Sequence, residues 1–141
     1  MLVRNVMNRN VIVAKPELTL REASQVMTKF HIGSLVITEG EKILGIVTTT
    51  DIIKCIAENK DVDNTKLGEI MSSPVLTIDP DKTIEDAVEI MTKNKIKRLV
   101  VTEGDKIVGI ITASDIISIE PALIEKLSKL ISFRLPGYSG G

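Results

Sequence analysis

Apolar positions along this chain change period in a fixed order, and the order occurs twice. Val11–Ala14 is a short β-branched run closed by Lys15-Pro16, which predicts a strand. In the following TLREASQVMTKF, Leu20, Ala23, Met27 and Phe30 recur every three or four residues and predict an amphipathic helix. Thr19, with Glu22 three residues on, is the capping-box pattern of a helix start. Leu35–Thr38 and Ile43–Thr48 are β-rich, and Glu39-Gly40-Glu41 between them predicts a hairpin turn. Helical spacing returns over Thr49–Ala57, with Ile52, Ile53 and Ile56 on one face. The second half repeats this order as Val75–Ile78, Thr83–Lys93, Leu99–Thr102, Ile107–Thr112 and a helix from about Ala113, with Thr83 and Asp86 as a weaker capping box.

The two halves also match residue by residue. An offset of 64 runs without a gap from Met7/Met71 to Ile53/Ile117, with 22 identities in 47 positions. GIVTTTDII at Gly45–Ile53 returns as GIITASDII at Gly109–Ile117. The linear reading is repeat 1 over 1–60, repeat 2 over 61–120, and a C-terminal segment over 121–141. Polar Glu58–Lys66 is the expected linker. A unit of about 60 residues is marginal alone, so the repeats are expected to pack as a pair sharing one core. Two copies are too few for a solenoid. Past Ile119 the copies diverge: Pro121 should end one helix and open another. Ala122–Phe133 carries Leu123, Leu127, Leu130 and Ile131 on one stripe, which must be buried on its own chain or on a partner. The tail Arg134–Gly141, rich in glycine, is expected to be loose.

Composition narrows the function. Eighteen basic and 19 acidic residues give a net charge of −1, which argues against a general nucleic-acid binder. Aromatic residues are only Phe30, Phe133 and Tyr138, so stacking platforms for single strands are missing and the core is aliphatic. No apolar stretch approaches the ~20 residues of a membrane span, and the N-terminus lacks a signal-peptide core. Cys55 stands alone, so nothing indicates an oxidising compartment. The expectation is a cytoplasmic protein.

The distinctive chemistry is Gly-apolar-apolar-Thr-x-x-Asp, at Gly45–Asp51 and Gly109–Asp115, where a strand hands over to a helix. Glycine there lets another backbone or a flat ligand approach closely. A helix start offers unpaired N–H groups to a phosphate. The Asp can accept hydrogen bonds from a ribose diol, and the Thr hydroxyl can serve sugar or phosphate. The same Thr-x-x-Asp is also a plain capping box; its recurrence behind a glycine at equivalent positions favours a ligand site. No nucleophile elbow, phosphate loop or metal-ligand cluster is present in the sequence, and Asp61, Asp63 and Asn64 lack the Glu-bearing loop of a calcium site. An enzyme is therefore not expected.

Strand, proline, capped helix, apolar strand, Glu-Gly turn and GIVTTTD together resemble a cystathionine β-synthase (CBS) domain, and two in tandem resemble a Bateman module. The resemblance covers about Val3 to Ile119. It implies an α+β fold of two βαββα repeats packed sheet to sheet with pseudo-twofold symmetry. Two clefts between the repeats would bind AMP, ADP, ATP, S-adenosylmethionine or a related adenosyl compound. By the same resemblance Asp51 and Asp115 would hold ribose hydroxyls, Thr48 and Thr112 the ribose-phosphate end, and Val13 and Thr77 would line the base. IKRLVV at Ile96–Val101 resembles the family's basic pair, so Lys97 and Arg98 are expected to reach phosphate, with Gly33 and Ser34 in their place in the first copy. Two unequal sites follow. The resemblance further implies a homodimer, to whose assembly the Ala122–Phe133 stripe is expected to contribute, and an unidentified effector protein as recipient of the signal. The competing class is an interaction module with vestigial clefts. His31 is read as a surface residue, Cys55 as a small buried one, and Met7, Met27, Met71 and Met91 as core.

Overall fold

A computed structural model describes residues 1–131, with Lys129 and Ile131 described by backbone alone. Ile131 and Phe133 of the stripe, Tyr138 and the tail Arg134–Gly141 therefore lie outside what can be said of side chains or structure. The first βαββα set comprises β1 (Val13–Ala14), α1 (Leu20–Phe30), β2 (Ser34–Glu39), β3 (Lys42–Thr48) and α2 (Thr49–Ala57). A short α3 (Leu67–Ile70) follows. The second set comprises β4 (Thr77–Ile78), α4 (Ile84–Asn94), β5 (Arg98–Glu103), β6 (Lys106–Thr112) and α5 (Ala113–Ile119). A 3-10 turn at Pro121–Leu123 leads into α6 (Ile124–Ile131), so Pro121 acts as the break and restart that its rigid ring predicts. The class is α+β, with two three-stranded sheets, ordered β1-β2-β3 and β4-β5-β6. In each the first pair is parallel and the second antiparallel.

The capping boxes form as the sequence predicts. Thr19 N–H donates to Glu22 Oε1 at 3.0 Å and Glu22 N–H donates to Thr19 Oγ1 at 3.2 Å. Thr83 and Asp86 do the same at 3.1 Å each. The other ends were not foreseen. α1 and α4 are closed by His31 (φ 53°) and Lys95 (φ 54°), both in the left-handed region that usually belongs to glycine. Equal conformations at equivalent positions show that the turn into the next strand, not the side chain, dictates the backbone there.

The compact units cut the chain differently from the linear boundaries 1–60 and 61–120. One unit is Val11–Val75, and the other is Met1–Asn10 together with Leu76 onward. Val3 and Leu67 are equivalent in the repeat, yet each belongs to the other copy's core. Leu67, fully buried, joins Leu20, Ala23, Met27, Leu35, Ile37, Val47, Ile52 and Cys55. Val3, fully buried, joins Ile84, Ala87, Met91, Leu99, Val101, Ile111 and Ile116. Strand pairing fixes the exchange, through an Ile46–Ser72 bridge in one unit and an Asn8–Ile110 bridge in the other. Each unit thus has a helix-on-sheet core of its own. The supposed linker is part of the first unit: Leu20 N–H donates to Thr65 O at 3.0 Å, Arg21 N–H to Val62 O at 3.0 Å, and Arg21 pairs with Asp63.

The described residues of the C-terminal stripe, Leu123, Leu127 and Leu130, pack on their own chain. Leu127 has no exposed surface and lies in the second unit's core, with Leu123 and Leu130 packed against it. α6 meets both α4 and α5. A dimerisation role for these residues is therefore not needed to bury them.

Candidate functional site

Each motif Thr is the N-cap of the helix that follows its hairpin. Thr48 N–H donates to Asp51 Oδ2 at 2.8 Å, Thr48 Oγ1 donates to the same oxygen at 3.0 Å, and Asp51 N–H returns a bond to Thr48 Oγ1 at 3.3 Å. Thr112 N–H donates to Asp115 Oδ2 at 3.2 Å and Asp115 N–H to Thr112 Oγ1 at 3.1 Å. The capping reading is thus real in both copies. It uses one carboxylate oxygen of each Asp and leaves Oδ1 without a hydrogen bond from the described residues. Both Asp side chains are half-buried. A fixed carboxylate with one open oxygen is suited to accepting from hydroxyls.

The helix starts are less open than the sequence suggested. Thr49 N–H donates to Gly33 O at 3.1 Å, and Ala113 N–H to Lys97 O at 2.9 Å. With the N-cap and third-position amides engaged by Asp and Thr, the amides of Thr50 and Ser114 alone remain in each first turn. Electrostatic help for a phosphate must come mainly from side chains.

The motif glycine answers to the chain itself. A Cβ on Gly45 would lie 2.6 Å from Met71 Sδ and 2.9 Å from Ser72 O; one on Gly109 would lie 2.7 Å from Met7 Sδ and 3.0 Å from Asn8 O. Of the two approaches the sequence left open, the structure shows that of backbone and methionine.

Strand alternation sorts the remaining residues by face. In the first unit Leu35, Ile37 and Val47 point to the helices. Ser34, Val36 and Thr48 therefore share the opposite face, where Ser34 is in register with Thr48 and Val13 with Val36. Val13 is 52% exposed, while Ser34 is 7% exposed, the one buried polar side chain among the described residues. In the second unit Arg98 is in register with Thr112 and Thr77 with Val100, on the face away from Leu99 and Ile111. So Val13, Ser34 and Thr48 come together in one unit, and Thr77, Arg98 and Thr112 in the other. Lys97 does not join them. It precedes β5, in the bend between α4 and the strand, and lines a cavity beside α4 and α6.

His31 is exposed. Cys55 is buried, and burial pushes its thiol above the usual range. Met7, Met27 and Met91 are buried and Met71 half-buried. Among the described residues no group of acidic, His or Cys side chains could hold a metal ion, and no helix is long and apolar enough to cross a membrane.

This twofold arrangement, a short parallel strand beside a hairpin that ends in a capped Thr-x-x-Asp helix, is the CBS architecture. The CBS domain model matches residues 3–58 and again 67–121, and the chain belongs to that family as a tandem CBS protein. It is 35% identical over 130 residues to an uncharacterized protein of Methanopyrus kandleri, covering 90% of this chain and 66% of that one. It also resembles a solved CBS domain pair in complex with 5′-methylthioadenosine and S-adenosyl-L-methionine, with TM-score 0.77, 30% identity, and 86% and 97% of the two chains covered. A hexameric CBS-CP12 protein from bloom-forming cyanobacteria matches with TM-score 0.78 and 27% identity over 89% of this chain and 73% of that one.

Proposed function

We propose that this chain is a regulatory sensor for an adenosine-bearing small molecule and that it works by binding, without turnover. The observation that carries the reading is the motif Asp of each copy. One oxygen is committed to the cap and the other takes no hydrogen bond from a described residue, beside a strand face that carries Val13 and Ser34 or Thr77 and Arg98. Asp51 and Asp115 would accept from ribose hydroxyls, Thr48 and Thr112 would meet the ribose-phosphate end, and Val13 and Thr77 would flank the base. A CBS pair 30% identical to this chain holds two adenosyl ligands, which supports the ligand class. AMP, ADP, ATP and S-adenosylmethionine all fall within it. Arg98, on the Thr112 face, would take the phosphate, while Lys97 lines the cavity beside α4 and α6; Ser34 is the uncharged counterpart of Arg98. A planar guanidinium suits phosphate bidentately, so the Arg98 site would favour phosphorylated ligands and the Ser34 site neutral ones.

Signalling follows by linkage. A ligand at 100 times its Kd stabilises the state that grips it by about 2.7 kcal/mol, and it shifts a partner only by its differential affinity for two states. The recipient is an effector protein, with a homodimer of this chain as the responding unit. Calorimetry with AMP, ADP, ATP, S-adenosylmethionine and methylthioadenosine tests the reading. At least one should bind, and Asp115→Ala should weaken it. Arg98→Ala should weaken AMP about tenfold or more, as loss of a charged hydrogen bond implies, and adenosine much less. Silence of all five ligands would leave an interaction module as the function.

A further inference from the structure

Beside the C-terminal end of α4 and α6 lies a cavity of about 690 Å³, lined by Thr92, Lys95, Lys97, Glu125, Lys126 and Leu130. Three ammonium groups face it against one carboxylate. None of the three lysines forms an ion pair with a described residue. Their positive charge is therefore unspent among the described residues. The neighbouring groove, about 360 Å³ and lined by Glu85, Val88, Glu89, Thr92, Leu123 and Lys126, carries the opposite sign along the first part of α4. Positive potential is thus confined to the end where Lys95 and Lys97 stand.

The cavity belongs to one copy. At the positions of Lys95 and Lys97 the other repeat has His31 and Gly33, and no helix equivalent to α6 follows α2 before α3. Construction of the wall is firm, because Leu127 is fully buried and holds α6 with Lys126 at the rim.

We propose that this cavity is a second anion site, for a small molecule carrying two or more phosphate charges. It is separate from the Thr-x-x-Asp sites and independent of the adenosyl reading. Its volume falls in the range of small-molecule pockets, roughly 300–1,000 Å³. Lysine ammoniums bind phosphate as mobile point charges with three donors each. Leu130 and the lysine stems give an apolar wall, while Glu125 limits the net charge and disfavours a ligand that is bulky and anionic throughout. Thr92 Oγ1 already donates to Val88 O at 2.9 Å, so it contributes a lone pair, not a donor.

Titration calorimetry of the full chain with inorganic pyrophosphate decides the matter. Wild type should bind saturably, and Lys95→Ala/Lys126→Ala should bind at least about tenfold more weakly, as expected for losing charged contacts. Both lysines are exposed, and circular dichroism should show an unchanged fold. Lys42→Ala/Lys106→Ala, which removes two exposed lysines at the hairpin turns, should bind pyrophosphate as wild type does. No saturable binding tighter than about 1 mM, or equal binding by the Lys95→Ala/Lys126→Ala variant, overturns the proposal. An equal loss in the Lys42→Ala/Lys106→Ala control also overturns it, by reducing the effect to net charge.

Discussion

Gly45→Ala isolates what the motif glycine is for. The added methyl would stand 2.6 and 2.7 Å from Met71 Sδ and Cγ and 2.9 Å from Ser72 O. Methionine can swing away, but the carbonyl cannot move freely. It accepts from Ile46 N–H at 3.0 Å, and Ser72 N–H donates back to Ile46 O at 2.9 Å. Overpacking of this kind costs about 1–3 kcal/mol, and straining two hydrogen bonds adds about 1 kcal/mol. The lower unfolded-state entropy of alanine returns about 0.5–1 kcal/mol. The net expectation is a destabilisation of about 2–3 kcal/mol, read as a lower midpoint in urea unfolding of the ligand-free chain. Met71→Ala combined with Gly45→Ala should recover only the part due to the side chain. A ligand-free stability within about 0.5 kcal/mol of wild type, with adenosyl binding lost, would refute the reasoning and return the glycine to the ligand.

Two further outcomes follow from the packing and the charges. Leu127→Ala removes a fully buried anchor of α6 and should destabilise by about 2–5 kcal/mol; a loss that vanishes at high protein concentration would show instead that the stripe is buried between chains. Thr19 holds the Glu22 carboxyl below its usual range, Thr83 does so for Asp86, Arg21 for Asp63, Arg4 for Asp81, and Asn64 for Asp61. Lower values in the folded state mean that these groups stabilise above the ordinary carboxylate range and lose that contribution as pH falls through it. Thermal midpoints should hold from pH 7 to about 5 and decline below about 4, less steeply in Thr83→Ala; a midpoint independent of acid would refute the assignment.

The sequence by itself determined the elements and their duplication. Period changes place every helix and strand of both sets, the capping boxes at Thr19, Thr48, Thr83 and Thr112 form as written, and Pro121 breaks and restarts the helix. These are local events, decided within four residues by hydrogen bonds and side-chain period. The paired Thr-x-x-Asp capping motifs were legible for the same reason. Tertiary structure decided which copy each flanking segment completes, since Val3 and Leu67 are equally apolar and only long-range pairing at Asn8–Ile110 and Ile46–Ser72 tells them apart. It also gave each unit a core of its own, buried Leu127 of α6 within the chain, and gave Gly45 and Gly109 a partner in the protein's own backbone. Ser34 and Thr48 were set side by side by the register of β2 on β3, as Arg98 and Thr112 were in the second unit. A residue's neighbours across a sheet are set by register and parity, and register is fixed by contacts far away in the chain.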